Sequence, residues 1–294
     1  METFYYNEWP ISYEHMGKGE PLILLHNGGS SHFIWSEIMP WLSGDYEMFA
    51  FDLLGYGASA KPGTGYTLDN YIDFLAAFID DHELAPVNLV GNCMGSSMSL
   101  GFAGRHPDKV RGIVLINPLT EATFLAGYMG LLLRLRKNMP AIARMVYSIL
   151  RKVKLNNWLA AQVVNFQIGT RGKSQKLHRT PELCACFTST GQMDSLIGVF
   201  DDLMNFSFLD QFEPGRDFPP VCTVWGLQNK VLSPRVGRKL NTKLQPRREE
   251  WLKGCGHLPM LEKPEQVANI IKGFLSDCAD RDVQRKSNDG EVLS

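Results

Sequence analysis

Short apolar runs recur along the chain, and their length and content predict strands. Residues 22–25, 46–51, 87–90, 110–116 and 221–225 are mostly β-branched, aliphatic or aromatic at neighbouring as well as alternate positions, interrupted by Glu47, Asn88, Arg111 and Gly112. A strand that is apolar on both faces belongs in a sheet covered on both sides, the parallel arrangement of α/β proteins. Between these runs the apolar period changes to that of a helix: Leu68, Tyr71, Ile72, Leu75, Phe78 and Ile79 share one stripe, and Val267, Ile270, Ile271 and Phe274 form another near the end. Strands alternating with helices predict a doubly wound, mostly parallel sheet. Residues 3–9 and 11–15 carry two further strand patterns, expected as an antiparallel edge, and residues 249–252 supply a final strand.

The alternation stops after Ile116 and resumes near Val221, leaving about a hundred residues dominated by helical signals. This predicts a helical cap inserted after the sixth strand. The expected division is a first part of the core over 1–118, the cap over 119–215, the rest of the core over 216–278, and a polar, flexible tail over 279–294. No Pro/Gly/Ser-rich linker divides the chain into separate bodies.

Composition adds boundaries rather than detail. With 294 residues, 44% of them hydrophobic, and 30 Lys+Arg against 31 Asp+Glu, the chain has material for a sizeable core and no overall charge bias toward nucleic acid. The N-terminus lacks the basic stretch and apolar run of a secretory leader, and residues 131–133 are too short an apolar run to cross a bilayer, so a cytoplasmic location is expected. The six cysteines lack the dense spacing of a disulfide scaffold, and the Cys184-x-Cys186 pair has no accompanying ligands that would make a metal site. Charge is uneven, however: residues 121–180 hold eleven basic side chains and one acid, Glu121. That block suits the phosphates of a coenzyme A or carrier-protein thioester, an anionic membrane surface, or simply a solvated helix face.

Chemistry concentrates at Val87-Asn88-Leu89-Val90-Gly91-Asn92-Cys93-Met94-Gly95-Ser96, a strand, a Gly-x-Cys-x-Gly turn and the start of a helical stretch. A side chain presented on so sharp a turn brings neighbouring backbone close enough that only glycine fits on either side. The helix N-terminus beneath it favours an anionic sulfur. A histidine in a second glycine-rich turn, Gly254-Cys255-Gly256-His257, follows the final strand.

With His26-Asn27-Gly28-Gly29 after the third strand and Asp52-Leu53-Leu54-Gly55-Tyr56-Gly57 after the fourth, these motifs make the chain resemble the α/β-hydrolase superfamily from about residue 21 to 275. The resemblance implies Cys93 as nucleophile in place of the usual serine, His257 as its acid/base partner, and an oxyanion hole from the main-chain N–H groups of Gly28 and Met94. It also implies that the cap roofs the site, with apolar residues such as Phe124, Leu125, Met129, Leu131 and Leu132 available to line a pocket. Family members usually have glycine where this chain has Asn27, whose side chain either reaches the substrate or holds the loop. Asn92, Asn117 and Glu121, polar residues beside the same motifs, are further candidates for substrate contact.

The orienting carboxylate that the family places after the seventh strand is Asn229 here, and after the sixth strand stands Asn117, with Glu121 four residues on. A thiol, with an ordinary pKa of about 8.5, needs less help than an alcohol and can form a thiolate–imidazolium pair before substrate arrives. The expected arrangement is therefore Cys93-His257-Asn229, with the amide oxygen orienting the ring as in Cys-His-Asn proteases of another fold. It implies acyl transfer from an ester or thioester to water, or, in an acyltransferase or cyclase, to an amine, alcohol or thiol. A ligand-binding receptor that keeps the scaffold without turnover, and an addition reaction with no acyl intermediate, remain alternatives. No metal, cofactor or nucleic-acid motif accompanies these residues.

Overall fold

The computed structural model describes residues 1–291, with side chains through residue 279. One eight-stranded sheet organises the molecule, in the order β1-β2-β4-β3-β5-β6-β7-β8. Its strands are β1 (Glu2–Tyr6), β2 (Trp9–Gly17), β3 (Glu20–Leu25), β4 (Tyr46–Phe51), β5 (Val87–Asn92), β6 (Val110–Ile116), β7 (Val221–Gly226) and β8 (Arg248–Leu252). The β1–β2 and β2–β4 pairs are antiparallel and all the others are parallel.

Side chains along a strand alternate between faces, so one continuous apolar run feeds two cores. Ile23, Leu25, Leu89 and Leu115 pack on one face with Leu75, Phe78, Met98 and Phe102, which come from the helices Leu68–Asp81 and Met94–Arg105. Leu22, Leu24, Val90 and Val114 face the other way, against Trp35, Ile271 and Phe274. The helix Leu68–Asp81 starts where its pattern predicts, because the Thr67 side chain accepts a hydrogen bond from the Asn70 N–H and so satisfies one of the free donors of the first turn.

Two boundaries differ from expectation. The N-terminal hairpin turns at Asn7 and Glu8, with φ of 47° and 67°, instead of breaking at Pro10. Two successive left-handed residues match the twist of the paired strands, and asparagine tolerates that conformation better than most residues. The other concerns the tail: the last helix, Pro264–Glu291, carries residues 279–291 on as helix, and residues 292–294 lie outside the described residues.

Between Ile116 and Val221 the chain forms no strand. It builds the helices Glu121–Leu125, Gly130–Asn138, Pro140–Leu150, Asn157–Gln167, Thr170–Ser174, Pro181–Thr188 and Gln192–Asp202, with a 3-10 turn at Leu177–Arg179 and a 3-10 stretch at Leu203–Asp210. Part of the basic block is neutralised within this insertion: Arg136 lies 2.9 Å from Asp201, Arg151 pairs with Asp194, and Lys137 pairs with Glu121. The acids that answer it, Asp194 and Asp201, stand just past the block in sequence.

Candidate active site

The sheet order reverses at β3, which pairs with β4 on one side and β5 on the other, and that switch point opens a crevice at the C-terminal ends of the strands. Residues 26–29 leave β3 there and Cys93 leaves β5 beside them. Cys93 sits between strand and helix at φ 53° and ψ −109°, a conformation that L-residues rarely adopt. The flanking glycines make it possible: a Cβ on Gly91 would lie 2.2 Å from the carbonyl carbon of Gly95, and one on Gly95 would lie 2.1 Å from the Leu25 oxygen. The turn is then fastened from both sides, with Cys93 N donating to Ile116 O at 2.9 Å and Ser96 N donating to Cys93 O at 3.0 Å.

Burial pushes the Cys93 thiol up to about 12, against the opposing pull of the Met94 and Gly28 main-chain N–H groups on its sulfur. The same two donors that favour a negative sulfur are thus aimed at the space in front of it. His26 holds the Gly28 loop: its Nδ1 lies 2.7 Å from Asn27 O, and Leu53 N donates to its Nε2 at 2.9 Å. Burial lowers this imidazole to about 4, so it does both tasks as the neutral ring.

His257 leaves β8 and is gripped through its main chain. Its N–H donates to Gln167 O at 2.7 Å, and its carbonyl accepts from Asn92 Nδ2 and Asn117 Nδ2, each at 3.3 Å. The ring is buried, and that burial pushes it down to about 3. The raised thiol and the lowered imidazole both work against the thiolate–imidazolium pair expected from the sequence, because burial disfavours the charged form of each.

The Asn229 expectation also needs correction. Its Oδ1 accepts from Val231 N at 2.9 Å and Leu232 N at 3.1 Å, while its Nδ2 and the Nδ1 of His257 are both buried without a hydrogen-bond partner. No hydrogen bond joins the two side chains. The backbone of the turn after β7 competes for the amide oxygen and wins, since two main-chain donors there have no other acceptor. The loops themselves are held together, Gln228 N donating to Cys255 O at 2.8 Å.

Asn27, Asn92, Asn117 and Glu121, expected as possible substrate contacts, do not line the cavity described below. Asn92 Nδ2 donates to Asn27 Oδ1 at 3.1 Å, and Asn117 Oδ1 accepts from Gly226 N at 2.9 Å, so these three amides brace the loops behind the site. Glu121 is spent on Lys137. Two residues that the sequence did not single out take positioning roles. Glu262, fully buried, accepts from Gly256 N at 2.7 Å and Gly169 N at 2.8 Å, tying the histidine turn to the cap, while Gln167 provides the carbonyl for His257 N. Glu262 is hidden in sequence because it falls at the start of an ordinary amphipathic helix pattern.

Cys93, Met94, Gly28 and His257 meet at the floor of one cavity of about 100 Å³. Its walls are Leu119, Phe124, Met129, Val163, Phe166, Phe187, Leu196, Val199, Phe200, Leu203 and Val231, with Gln167 the remaining polar side chain and no Lys or Arg among the lining residues. Phe124 and Met129 serve as anticipated, whereas Leu125 and Leu132 stand outside the lining and Leu131 points outward, 72% exposed.

Comparison with known proteins gives a consistent frame. A family profile described as alpha/beta hydrolase fold matches residues 20–264. The chain is 30% identical, over 91% of its length and 88% of the relative's, to 2-hydroxy-6-oxo-6-(2'-aminophenyl)hexa-2,4-dienoic acid hydrolase of Metapseudomonas resinovorans. It is 24% identical to 2-hydroxy-6-oxo-2,4-heptadienoate hydrolase of Pseudomonas putida, over 89% of this chain and 91% of that protein. Among solved structures, a thermophilic esterase from Thermogutta terrifontis superposes with a TM-score of 0.77 at 18% identity, over 92% of this chain and 94% of that one.

Proposed function

The chain belongs to the alpha/beta hydrolase fold family, and from that premise we propose that it is an acyl-transfer enzyme acting on a neutral, apolar ester or thioester through an acyl-Cys93 intermediate. The observation that carries this reading is the convergence on one sulfur of two main-chain donors, Gly28 and Met94, with His257 on the same cavity floor. Sulfur attacks the acyl carbon, its proton passes to His257, and the carbonyl oxygen takes up negative charge between the two N–H groups. The carbon–oxygen or carbon–sulfur bond to the leaving group then breaks as His257 returns the proton to it. Water, deprotonated by the same ring, releases the acid and restores the thiol. An amine, alcohol or thiol in place of water makes the same chemistry an acyl transfer, and coenzyme A or carrier-protein thioesters are candidate donors.

Both hydrolase relatives are named for dienoic acids, whose carboxylates are charged. In this cavity a carboxylate would be desolvated against apolar walls with no cation to meet it, which is costly. A volume near 100 Å³ is smaller than the roughly 150 Å³ that takes a benzene ring. A short acyl chain therefore fits as the cap stands, and a longer one requires the cap helices to part.

Asn229 bears on the pace of this chemistry by what it withholds. Its oxygen is committed to Val231 and Leu232, so it presents no acceptor to His257 Nδ1, which is buried without a partner. The Nδ1–H tautomer, the one that leaves Nε2 free to accept from the thiol, therefore goes unsupported, and deprotonation of Cys93 is slowed. A carboxylate at 229 would accept from Nδ1–H and leave Nε2 free.

Turnover of p-nitrophenyl acetate, butyrate and octanoate and of an anionic half-ester tests the reading. The expected result is turnover of the short neutral esters, at least about a hundredfold less for the anion, and loss of turnover by about 10⁴-fold or more in Cys93→Ala. Wild-type rates in Cys93→Ala would sink it. One observation, the unpartnered His257 Nδ1, favours a second reading as a ligand-binding receptor, which requires an apolar ligand held equally well by wild type and Cys93→Ala with no turnover.

A further inference from the structure

The helix Pro140–Leu150 is apolar on two sides. Ala143 and Tyr147 face inward and are buried, while Ile142, Met145 and Ile149, spaced i, i+3 and i+7, share an outward face and are 40%, 60% and 60% exposed. Arg144 is its single charged residue. The loop that follows brings Lys152 and Lys154, and the next helix, Asn157–Gln167, opens with Trp158 at 67% exposure. Arg144, Lys152 and Lys154 are exposed and form no ion pair among the described residues, unlike Arg136 and Arg151 of the same block. No acid occurs anywhere in residues 122–181.

We propose that this outer face of the cap docks on the surface of an anionic lipid bilayer, with Ile142, Met145 and Ile149 entering the headgroup region and the unpaired cations around them, Lys152 and Lys154 first, meeting lipid phosphates. Apolar side chains displayed beside unpaired cations are the signature of a helix lying in a membrane interface, where burial of apolar area and attraction to anionic headgroups add. Other occupants fit less well. A second copy of the chain would bring the same unpaired cations face to face. An acidic protein would meet the cations but leave the outward Ile and Met side chains in water unless it brought a matching groove. The bilayer answers both features at once, and it connects to the site: the helix after the docking face contributes Val163 and Phe166 to the cavity wall, so apolar acyl substrates dissolved in lipid lie beside the elements that admit them. Among the described residues no helix is long and apolar enough to cross a membrane.

The test is sedimentation of the full chain with phosphatidylcholine vesicles, with and without phosphatidylglycerol, read as bound fraction independently of any turnover. Binding to the phosphatidylglycerol vesicles, at least about tenfold weaker to phosphatidylcholine alone and lost in high salt, is the expected result. Met145→Asp/Ile149→Asp should remove binding, and replacing Arg144, Lys152 and Lys154 by Glu should weaken it by about fivefold or more per cation. Thermal unfolding and turnover of a soluble ester should be unchanged in both variants, since none of these residues lines the cavity. Equal binding to both vesicle types, or binding that survives Met145→Asp/Ile149→Asp, overturns the proposal. A concentration-dependent dimer lost in that variant, or capture of an acidic carrier protein in the absence of vesicle binding, overturns it in favour of a protein partner.

Discussion

At the C-terminal edge of the sheet, polar side chains are absorbed by the backbone around them. Asn92 and Asn117 donate to the His257 carbonyl, Glu262 collects the N–H groups of Gly256 and Gly169, and Asn229 spends its oxygen on Val231 and Leu232. In the insertion between β6 and β7 the balance differs: the helix Pro140–Leu150 leaves Ile142, Met145 and Ile149 exposed, and apart from the Gln167 and Gly169 main-chain bonds to the histidine turn and its glutamate the insertion supplies the cavity mainly with apolar walls. One region is bonded loop to loop. The other meets the cavity chiefly through shape and apolar surface. Chemistry is therefore expected to fail sharply when the edge is altered, and selectivity to drift when the cap is.

The largest expected effect lies at the elbow. Gly95→Ala puts a methyl group 2.1 Å from the Leu25 oxygen, where only backbone movement relieves it, and should cost about 4 kcal/mol of stability in urea unfolding, with loss of turnover. A wild-type midpoint would show that the turn is looser than described.

Acid comes next. His257 is lowered from 6.5 to about 3 and His26 from 6.5 to about 4, so the unfolded chain binds protons that the folded one refuses. Stability should be full above about pH 6.5 and fall as pH drops toward 4, by on the order of 3 kcal/mol for His257 alone. Cys93, raised from 9.0 to about 12, acts in the opposite sense and removes stability as pH climbs above 9. Denaturation midpoints between pH 4 and 10 check both limbs, and the loss at low pH should shrink in His257→Gln.

Asn229→Asp is the sharpest chemical contrast. Its carboxylate keeps the Val231 and Leu232 donors and replaces the buried, unpartnered Nδ2 by an acceptor, the kind of group that the unpartnered His257 Nδ1 lacks, so acylation should accelerate by about tenfold or more, with the basic limb of the pH–rate profile moved toward neutrality. ¹⁵N shifts of the His257 ring should report a gain of the Nδ1–H tautomer over wild type. An unchanged tautomer would remove the assigned role of the amide.

The smallest effect belongs to the cap. Phe166→Ala enlarges the cavity and should improve kcat/KM for octanoate over acetate esters by several-fold while the acetate rate hardly moves. A matching loss for both esters would mean that the cap wall also positions the reacting atoms.

Sequence reading succeeded where one physical rule dominated. Strands buried on both faces leave continuous apolar runs, so β4 and β6 were legible to the residue, and the Gly91–Gly95 frame marks Cys93 because no other residue type fits beside it. It fell short where two demands compete for one group. Asn229 has the right identity and place for an orienting residue, but main-chain donors two and three positions on claim its oxygen, and no pattern in the sequence announces that contest. The cap was equally opaque: Met129 and Leu131 are two residues apart and equally apolar, yet one lines the cavity and the other faces outward. Glu262 carried no signal in the sequence because its partners are main-chain amides of glycines in two separate turns.

Whether Cys93 carries the acyl group is settled most directly by intact-mass and peptide mapping of the protein quenched in acid during turnover of p-nitrophenyl butyrate. The expected result is a mass increase of one butyryl group, mapped to Cys93, that builds up in Asn229→Asp at least as fast as in wild type and is absent in Cys93→Ala. An adduct on another residue that persists in Cys93→Ala, with turnover retained in that variant, would contradict it.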